Sequence, residues 1–310
     1  MNDYLLSVLL GIIEGLTEFL PVSSTAHLRL SEAMLHASGL APHLTLDSGY
    51  WKMYSIVIQL GAILVLPFYF RAHIAKLAST WPKGEKRDCD YLTHPLSLVM
   101  IAFVVTAIPA FLLTKVIGKN LESLYVMGTA LFLGGIVMWV VDAMKAPWEK
   151  AGPPAPGSPV QASPIHTWNM DDIYGGQSIW IGACQILSAV FPGTSRSMST
   201  IAAGQLVGMS RAAALEFSFF LSIPTMTVAT LYTLFKSLSG KDENPIGVAA
   251  LTSHDWVILV IGFVVSFIVA YGAVAWFMHW VRKHGFVPFA IYRLILGALV
   301  LAWAAGMIGR

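Results

Sequence analysis

Charge is what this sequence has least of. Asp, Glu, Lys and Arg make up 12% of its 310 residues, against roughly 25% in an ordinary soluble domain. So sparse a set cannot cover a water-facing surface. It also excludes a disordered chain, a coiled coil, a collagen and a nucleic-acid binder. Neither sign is in excess, since the formal net charge is +2, and the total names no electrostatic partner. Cysteine is nearly absent too. Cys89 and Cys184 stand far apart and fit neither a disulfide framework nor a metal-ligand spacing. The N-terminal MNDYLLSVLLGIIEG lacks the basic start of a signal peptide and carries Glu14 early, so it is expected to belong to the mature protein. What the chain has in quantity is apolar: 56% hydrophobic residues and a mean hydropathy of +0.68. The expectation is a single integral membrane domain over 1–310, all-α and polytopic, in contact with the bilayer and with no nucleic acid.

A helix needs about 20 apolar residues to cross the hydrocarbon core. Six stretches qualify: 53–70, 95–117, 124–142, 214–235, 255–280 and 288–308. Two others, 4–20 and 178–191, are too short and end at a proline. Each runs into a hydroxyl-rich segment, PVSSTAH from Pro21 and PGTSRSMST from Pro192. Irregular backbone at membrane depth is tolerated only inside protein or along a watery cavity, so each is expected to be a re-entrant hairpin.

The proline-dense stretch 145–165 is expected to be a helix-free linker. It separates a first repeat, 1–144, from a second, 178–310, with the connection spanning 145–177. Gly11-Ile12-Ile13-Glu14 through Ser24 lies over Gly182-Ala183-Cys184-Gln185 through Ser195 at an offset of 171. AFVVTAIPA (102–110) lies over GFVVSFIVA (262–270) at an offset of 160. Each half then holds one re-entrant hairpin and three transmembrane helices. Three is odd, so the halves form an inverted-topology repeat, which favours a site where the broken helices meet. Basic residues bias the orientation. Arg71, Lys76, Lys83, Lys86 and Arg87, in the expected loop after the first span, fall on the inner side with Lys145, Lys150, Arg211, Arg282 and Lys283. Arg29, Lys52, Lys115, Lys119, Lys236, Lys241 and Arg310 fall on the outer side with both termini.

Ionisable residues within membrane segments are functional candidates by default. Here they are Glu14, Glu18, His27, Arg196, Glu216 and Arg293. Glu14 and Glu18 stand four apart, on one helix face. Two carboxylates in low dielectric cannot both ionise without a cation or a shared proton. An oxygen-only donor set suits Mg²⁺ or Ca²⁺. After Pro21, the residues Ser23, Ser24 and Thr25 are of the type that caps a new helix and offers N–H groups to an anion. His27 follows Ser24 by three, as a base would beside a nucleophile. In the second segment Gly193, Thr194, Ser195, Ser197 and Thr200 surround Arg196, whose planar fork matches phosphate oxygens. A metal site facing a phosphate clamp is a recipe for phosphoryl transfer. Glu216 follows a Ser210 helix cap and is expected to be a stabilised first-turn acid, and Gln59 either bonds between helices or lines the pocket. Arg293 is open between an acidic partner and a lipid phosphate.

EGLTEFLPVSSTAH (14–27) and PGTSRSMST (192–200) resemble the two signature regions of the bacterial undecaprenyl-diphosphate phosphatase family, known for bacitracin resistance. EFSFFLSIP (216–224), VIQLGAIL (57–64) and PFAIYR (288–293) look like further family segments. The resemblance implies an integral hydrolase of the bacterial cytoplasmic membrane. It would remove one phosphate from a C55 polyprenyl diphosphate, with a divalent cation and a site opening outward. By the same resemblance, Glu14 and Glu18 match the paired glutamates, and Ser24 and His27 the serine and histidine. Ser195, Arg196, Ser197 and Thr200 match the second motif. Ser24 is the preferred nucleophile with His27 assisting; the reverse assignment and direct attack by water stay open. A homo-oligomer is compatible with all of this. The competing expectation is a transporter or flippase for an anionic lipid or small phosphate compound, since broken helices in inverted repeats suit transport. A lipid phosphatase of the histidine-nucleophile type is disfavoured, because no histidine lies between Arg196 and His254.

Overall fold

The computed structural model describes residues 1–46, 49–84, 90–113, 123–154, 163–239 and 251–306. Among them the regular elements are helical, apart from one isolated bridge between Thr167 and Met209. In chain order they are α1 (Asp3–Thr17), α2 (Ser24–Ala37), α3 (Gly49–Ile63), α4 (Val65–Tyr69), α5 (Arg71–Thr80), α6 (Pro95–Leu113), α7 (Leu124–Ala151), α8 (Gly175–Val190), α9 (Arg196–Leu206), α10 (Arg211–Leu238), α11 (Ser253–His284) and α12 (Val287–Ala304). A short 3₁₀ turn, Met170–Asp172, precedes α8.

Six helical stretches among the described residues are long and apolar enough to cross a bilayer: α3 with α4, then α6, α7, α10, α11 and α12. They fall on the six stretches expected from hydropathy, and α1 and α8 fall on the two short ones. Local chemistry sets the boundaries. The Asn2 side chain accepts from Tyr4 N–H and starts α1, Ser123 starts α7 by accepting from Val126 N–H, and Ser210 accepts from Ala213 N–H ahead of α10. Proline at the first turn opens α12.

Two expectations are corrected. The linker was expected to hold no helix from residue 145, yet α7 continues through Pro147 to Ala151. Only one of the prolines of that stretch lies this early, and neighbours hold the extra turns. Lys145 Nζ donates to Pro164 O at 3.3 Å, and Glu149 Oε1 accepts from Arg211 N–H. The helix stops at Gly152, whose φ of +75° suits glycine alone. The basic segment after the first span, expected to be a loop, contains α5. The rest of the linker core, 155–162, lies outside the described residues.

The chain forms two compact units: Met1–Phe70 with Ser222–Ala275, and Arg71–Leu221 with Trp276–Arg310. Each unit draws on both halves of the sequence. In the first, Leu6, Leu10, Trp51, Tyr54, Ile58 and Ile258 build a buried core from α1, α3 and α11. In the second, Asp142 on α7 is fully buried. It accepts from Arg211 Nε and NH2, from the Gln205 amide and from Phe286 N–H, tying α7, α9, α10 and the start of α12.

The units repeat one packing scheme. In the first, Ser7 Oγ on α1 donates to Ile258 O on α11 at 2.8 Å, and a Cβ on Gly11 would stand 3.0 Å from Gly262 O. In the second, Ser178 Oγ on α8 donates to Leu98 O on α6, and a Cβ on Gly182 would stand 2.6 Å from Ala102 O. Ser7 and Gly11 map to Ser178 and Gly182 by adding 171. Leu98 and Ala102 map to Ile258 and Gly262 by adding 160. Each short helix thus packs its small-residue face on a span from the other half of the sequence, as membrane helices do when backbones approach closely. This is why the compact units cut across the sequence halves.

Candidate active site

In the first unit, Pro21 biases the residue before it away from the helical region, and α1 ends at Thr17. The chain re-enters helix at Ser24 through Ser23, whose φ is 73° and ψ 97°. A positive φ costs a non-glycine residue about 1–3 kcal/mol, and such strain gathers at functional sites. Ser23 is held there by its own bonds. Its Oγ accepts from Ala26 N–H at 3.4 Å, and its carbonyl accepts from His27 N–H at 3.3 Å.

That turn sets the chemistry of the next residues. Ser24 Oγ donates to Glu18 Oε2 at 2.6 Å, and both residues are buried. Ser24 makes no hydrogen bond to His27 among the described contacts; the serine's partner is the glutamate. His27 Nδ1 stands 2.7 Å from Ser23 O. A carbonyl can only accept, so Nδ1 carries the hydrogen.

Glu14 is 1% exposed, and neither of its carboxylate oxygens meets a hydrogen-bond donor among the described residues. A buried carboxylate so placed needs a proton or a cation. It lines a polar cavity of about 180 Å³ with Ser24, Thr25, Arg29, Ser55 and Gln59. Gln59 also accepts from Thr230 Oγ1 at 3.5 Å, so it bonds between helices and lines the pocket. The donors here are oxygens, and no group of three His, Cys, Asp or Glu side chains suited to a metal occurs among the described residues. The arrangement fits a hard cation that keeps water or substrate oxygens among its ligands, and it does not fit a closed zinc cage.

In the second unit, α8 ends at Val190 and α9 starts at Arg196 after the turn Phe191–Ser195. Gly193 has a φ of +92°, and a Cβ there would lie 2.6 Å from Met127 O on α7, so only glycine fits. Ser195 repeats the geometry of Ser23, with φ 69° and ψ 121°. Its Oγ accepts from Met198 N–H at 3.4 Å, and its carbonyl accepts from Ser199 N–H. These two serines are the only non-glycine residues with positive φ among the described residues. Matching the turns by backbone therefore pairs Ser23 with Ser195, one residue off the sequence alignment of Ser24 with Ser195.

Arg196 opens α9 half-buried, its NH1 3.4 Å from Ser218 O. Ser195 and Ser197 hydroxyls are 3.2 Å apart beside it. Thr194 and Ser199 line an apolar cavity of about 600 Å³ with Leu133, Leu187, Met198 and Leu206. Thr200 lies one turn further along α9. It is fully buried, its hydroxyl 2.6 Å from Ser218 Oγ and 2.9 Å from Arg196 O, and so it braces the arginine's helix.

Glu216, expected as a first-turn acid, lies beyond the first turn of α10. It is instead bridged to α5: His73 Nδ1 lies 2.9 Å from Glu216 Oε1, and Nε2 lies 2.8 Å from Asp171 Oδ1. Both ring nitrogens face carboxylates, with Asp171 first and Glu216 second in effect, and together they raise the imidazole to about 9. Asp171 is held below the usual carboxylate range by the same contact. His73 is 143 residues from Glu216, and no local pattern in the sequence announces the pair.

Residues 7–299 match the family described as bacitracin resistance protein BacA. A protein of Koribacter versatilis named undecaprenyl-diphosphatase is 62% identical over 306 residues, covering 98% of this chain and 99% of its own length. One of the same name from Rhizobium etli is 38% identical, with 97% of each chain covered. Another, from Caldanaerobacter subterraneus, is 36% identical over 94% of this chain and 93% of its own length.

Proposed function

The chain belongs to the bacitracin resistance protein BacA family, and from that premise we infer that it is a membrane hydrolase converting undecaprenyl diphosphate to undecaprenyl phosphate and inorganic phosphate. The product is the lipid carrier that cell-wall synthesis reuses. The observation that carries the reading is the Ser24–Glu18 hydrogen bond of 2.6 Å, at a strained helix start beside the buried, donor-less Glu14.

Ser24 Oγ attacks the terminal phosphorus, and its proton passes to Glu18 Oε2. The bond from that phosphorus to the bridging oxygen breaks, and undecaprenyl phosphate leaves. Water then cleaves the phosphoserine, giving a proton to His27, which passes it on to solvent. Inorganic phosphate departs and Ser24 recovers its proton from Glu18. Glu14 and Glu18, with oxygens of Ser24 and Gln59, are the residues that would hold Mg²⁺ or Ca²⁺. When bound, such a cation supplies charge that neutralises carboxylates and diphosphate together. Arg196, with Ser195 and Ser197 beside it, is the residue assigned to phosphate oxygens of the diphosphate. The apolar cavity next to Thr194 suits part of an isoprenoid tail.

The finer architecture belongs to the same proposal. The α1–α2 and α8–α9 elements are re-entrant hairpins of an inverted repeat in the bacterial cytoplasmic membrane, with the site open to the outer side. The recurring Ser7 and Ser178 bonds and the odd number of spans per half support it.

Detergent-solubilised protein decides between hydrolase and transporter. With no compartment present, a hydrolase releases inorganic phosphate from undecaprenyl diphosphate and a transporter releases none. An undiminished rate in Ser24→Ala would remove the serine as nucleophile, and full activity after exhaustive chelation would remove the cation.

A further inference from the structure

Arg293 on α12 takes no part in the chemistry above. Among the described residues it is the largest fully buried side chain, with an exposure of 0%. Burying a guanidinium in a membrane protein is costly unless its charge does something there. Its NH2 group donates to three backbone carbonyls: Thr194 O at 3.0 Å, Gly193 O at 3.1 Å and Ala130 O at 3.2 Å. Two of the three belong to the turn that precedes Arg196. The third belongs to α7, against which that turn packs through Gly193.

We propose that Arg293 is a positioning residue for the diphosphate-binding turn, setting the direction of its peptide groups and through them the place of Arg196. This rests on the reading of Arg196 as the phosphate-binding arginine.

The argument is stereochemical. Peptides are planar, and those of this turn are trans, so C=O and N–H point opposite ways. With the Gly193 and Thr194 carbonyls drawn to Arg293, the N–H groups of Thr194 and Ser195 point away from it. Thr194 N–H is used within the turn, donating to Phe191 O at 3.1 Å. Ser195 N–H donates to no described acceptor, and Arg196 comes next in the chain. Without the guanidinium, two buried carbonyls would lose a charged donor, and these peptide planes would be free to turn. The positive φ of Ser195 is strained and needs such over-determination to persist.

Gly134 on α7 shows how closely the group is fitted. A Cβ there would collide with Arg293 NH2 and lie 2.7 Å from Met198 Cε on α9. Gly134→Ala therefore displaces the guanidinium without changing charge.

The nature of the contact also predicts which variant rescues. One NH2 nitrogen has two hydrogens for three carbonyls, so one hydrogen is shared. A lysine ammonium has three. Arg293→Lys should retain function here, although lysine fails wherever a bidentate fork is required.

The experiment measures kcat and KM for phosphate release from undecaprenyl diphosphate in Arg293→Gln, Arg293→Lys and Gly134→Ala. Each is also combined with Arg196→Lys, and thermal midpoints are recorded. Expected are a kcat fall of about 30- to 100-fold in Arg293→Gln with KM within about 3-fold, and recovery to within about 10-fold of wild type in Arg293→Lys. Arg293→Gln combined with Arg196→Lys should lose much less than the product of the single losses, because both act on one element. A folded Arg293→Gln with near-normal kcat, or losses that multiply, overturns the proposal. Should Arg293→Gln not fold, the same two criteria apply to Gly134→Ala. If Arg196→Lys alone has no effect, it is the reading of Arg196 that fails.

Discussion

The α1–α2 and α8–α9 turns are built alike and charged oppositely. Each leaves a short helix, passes a proline and restarts helix through a serine of φ near +70° that caps the third residue on. Each short helix packs through a serine and a glycine on a span from the other half of the sequence. The first turn is flanked by Glu14, Glu18 and Ser24, the second by Arg196 with hydroxyls and a buried arginine behind it. One backbone solution has thus been used twice, with carboxylates and a serine hydroxyl on one copy and a guanidinium with hydroxyls on the other. Where the backbones match, strain and helix starts are a property of the scaffold. Where the side chains differ, the proposed roles of the two copies part.

The comparison breaks most visibly at the charged groups. Arg196→Ala should lower kcat by about 10³-fold or more while leaving the protein folded, since a charge-stabilising arginine is worth that much in phosphoryl transfer. Phosphate release together with circular dichroism checks it, and near-normal turnover would sink the assignment. Glu14→Gln should cost about 10²-fold and, unlike Arg196→Ala, shift the dependence on added Mg²⁺ to higher concentration. A loss with unchanged metal dependence would separate Glu14 from the cation.

Outside the two turns, the α5 contact gives a pH signature. His73 gains carboxylate partners that raise it from 6.5 to about 9. Its contribution is therefore fully present below pH 6.5 and is lost as pH rises through about 9. The stability gap between wild type and His73→Gln should be about 1–2 kcal/mol at the acidic end of that window, after screening is allowed for. Thermal midpoints of solubilised protein across the window should converge at the alkaline end. A gap independent of pH would deny the ion pairs.

The shared backbone makes the subtlest prediction. Ser23→Gly and Ser195→Gly relieve positive-φ strain and lose a cap that glycine nearly replaces, so each should gain about 1 kcal/mol. Ser23→Ala and Ser195→Ala keep the strain and lose the cap, so each should lose about 1 kcal/mol. The two positions should respond alike. A Gly variant that destabilises one turn and stabilises the other would show that the copies are not held by the same physics.

Much of this was legible in the order of residues. Hydropathy placed the six spans, because crossing a bilayer demands a length of apolar chain that little else requires. The two proline-ended segments stood out because hydroxyls and charges rarely follow a short apolar helix. The offsets of 171 and 160 were readable too, although not what they meant. The sequence suggested two consecutive halves, and the folded chain pairs α1 with α11 and α8 with α6. Other features had no local trace. Thr200 looks like its neighbouring hydroxyls until Ser218 is found 2.6 Å away. Ser24 looks like the partner of His27, three residues on, until the turn at Ser23 brings Glu18 to it instead.

Composition and pattern, then, determined class, spans, broken segments and the chemical types at the site, because each follows from what a residue does in water or lipid whatever its neighbours. Tertiary structure decided the pairings: Ser24 with Glu18, His73 with Glu216, Arg293 with the carbonyls of Gly193 and Thr194. A hydrogen bond depends on distances of a few tenths of an ångström between residues up to a hundred or more positions apart, and only the packed chain sets those distances.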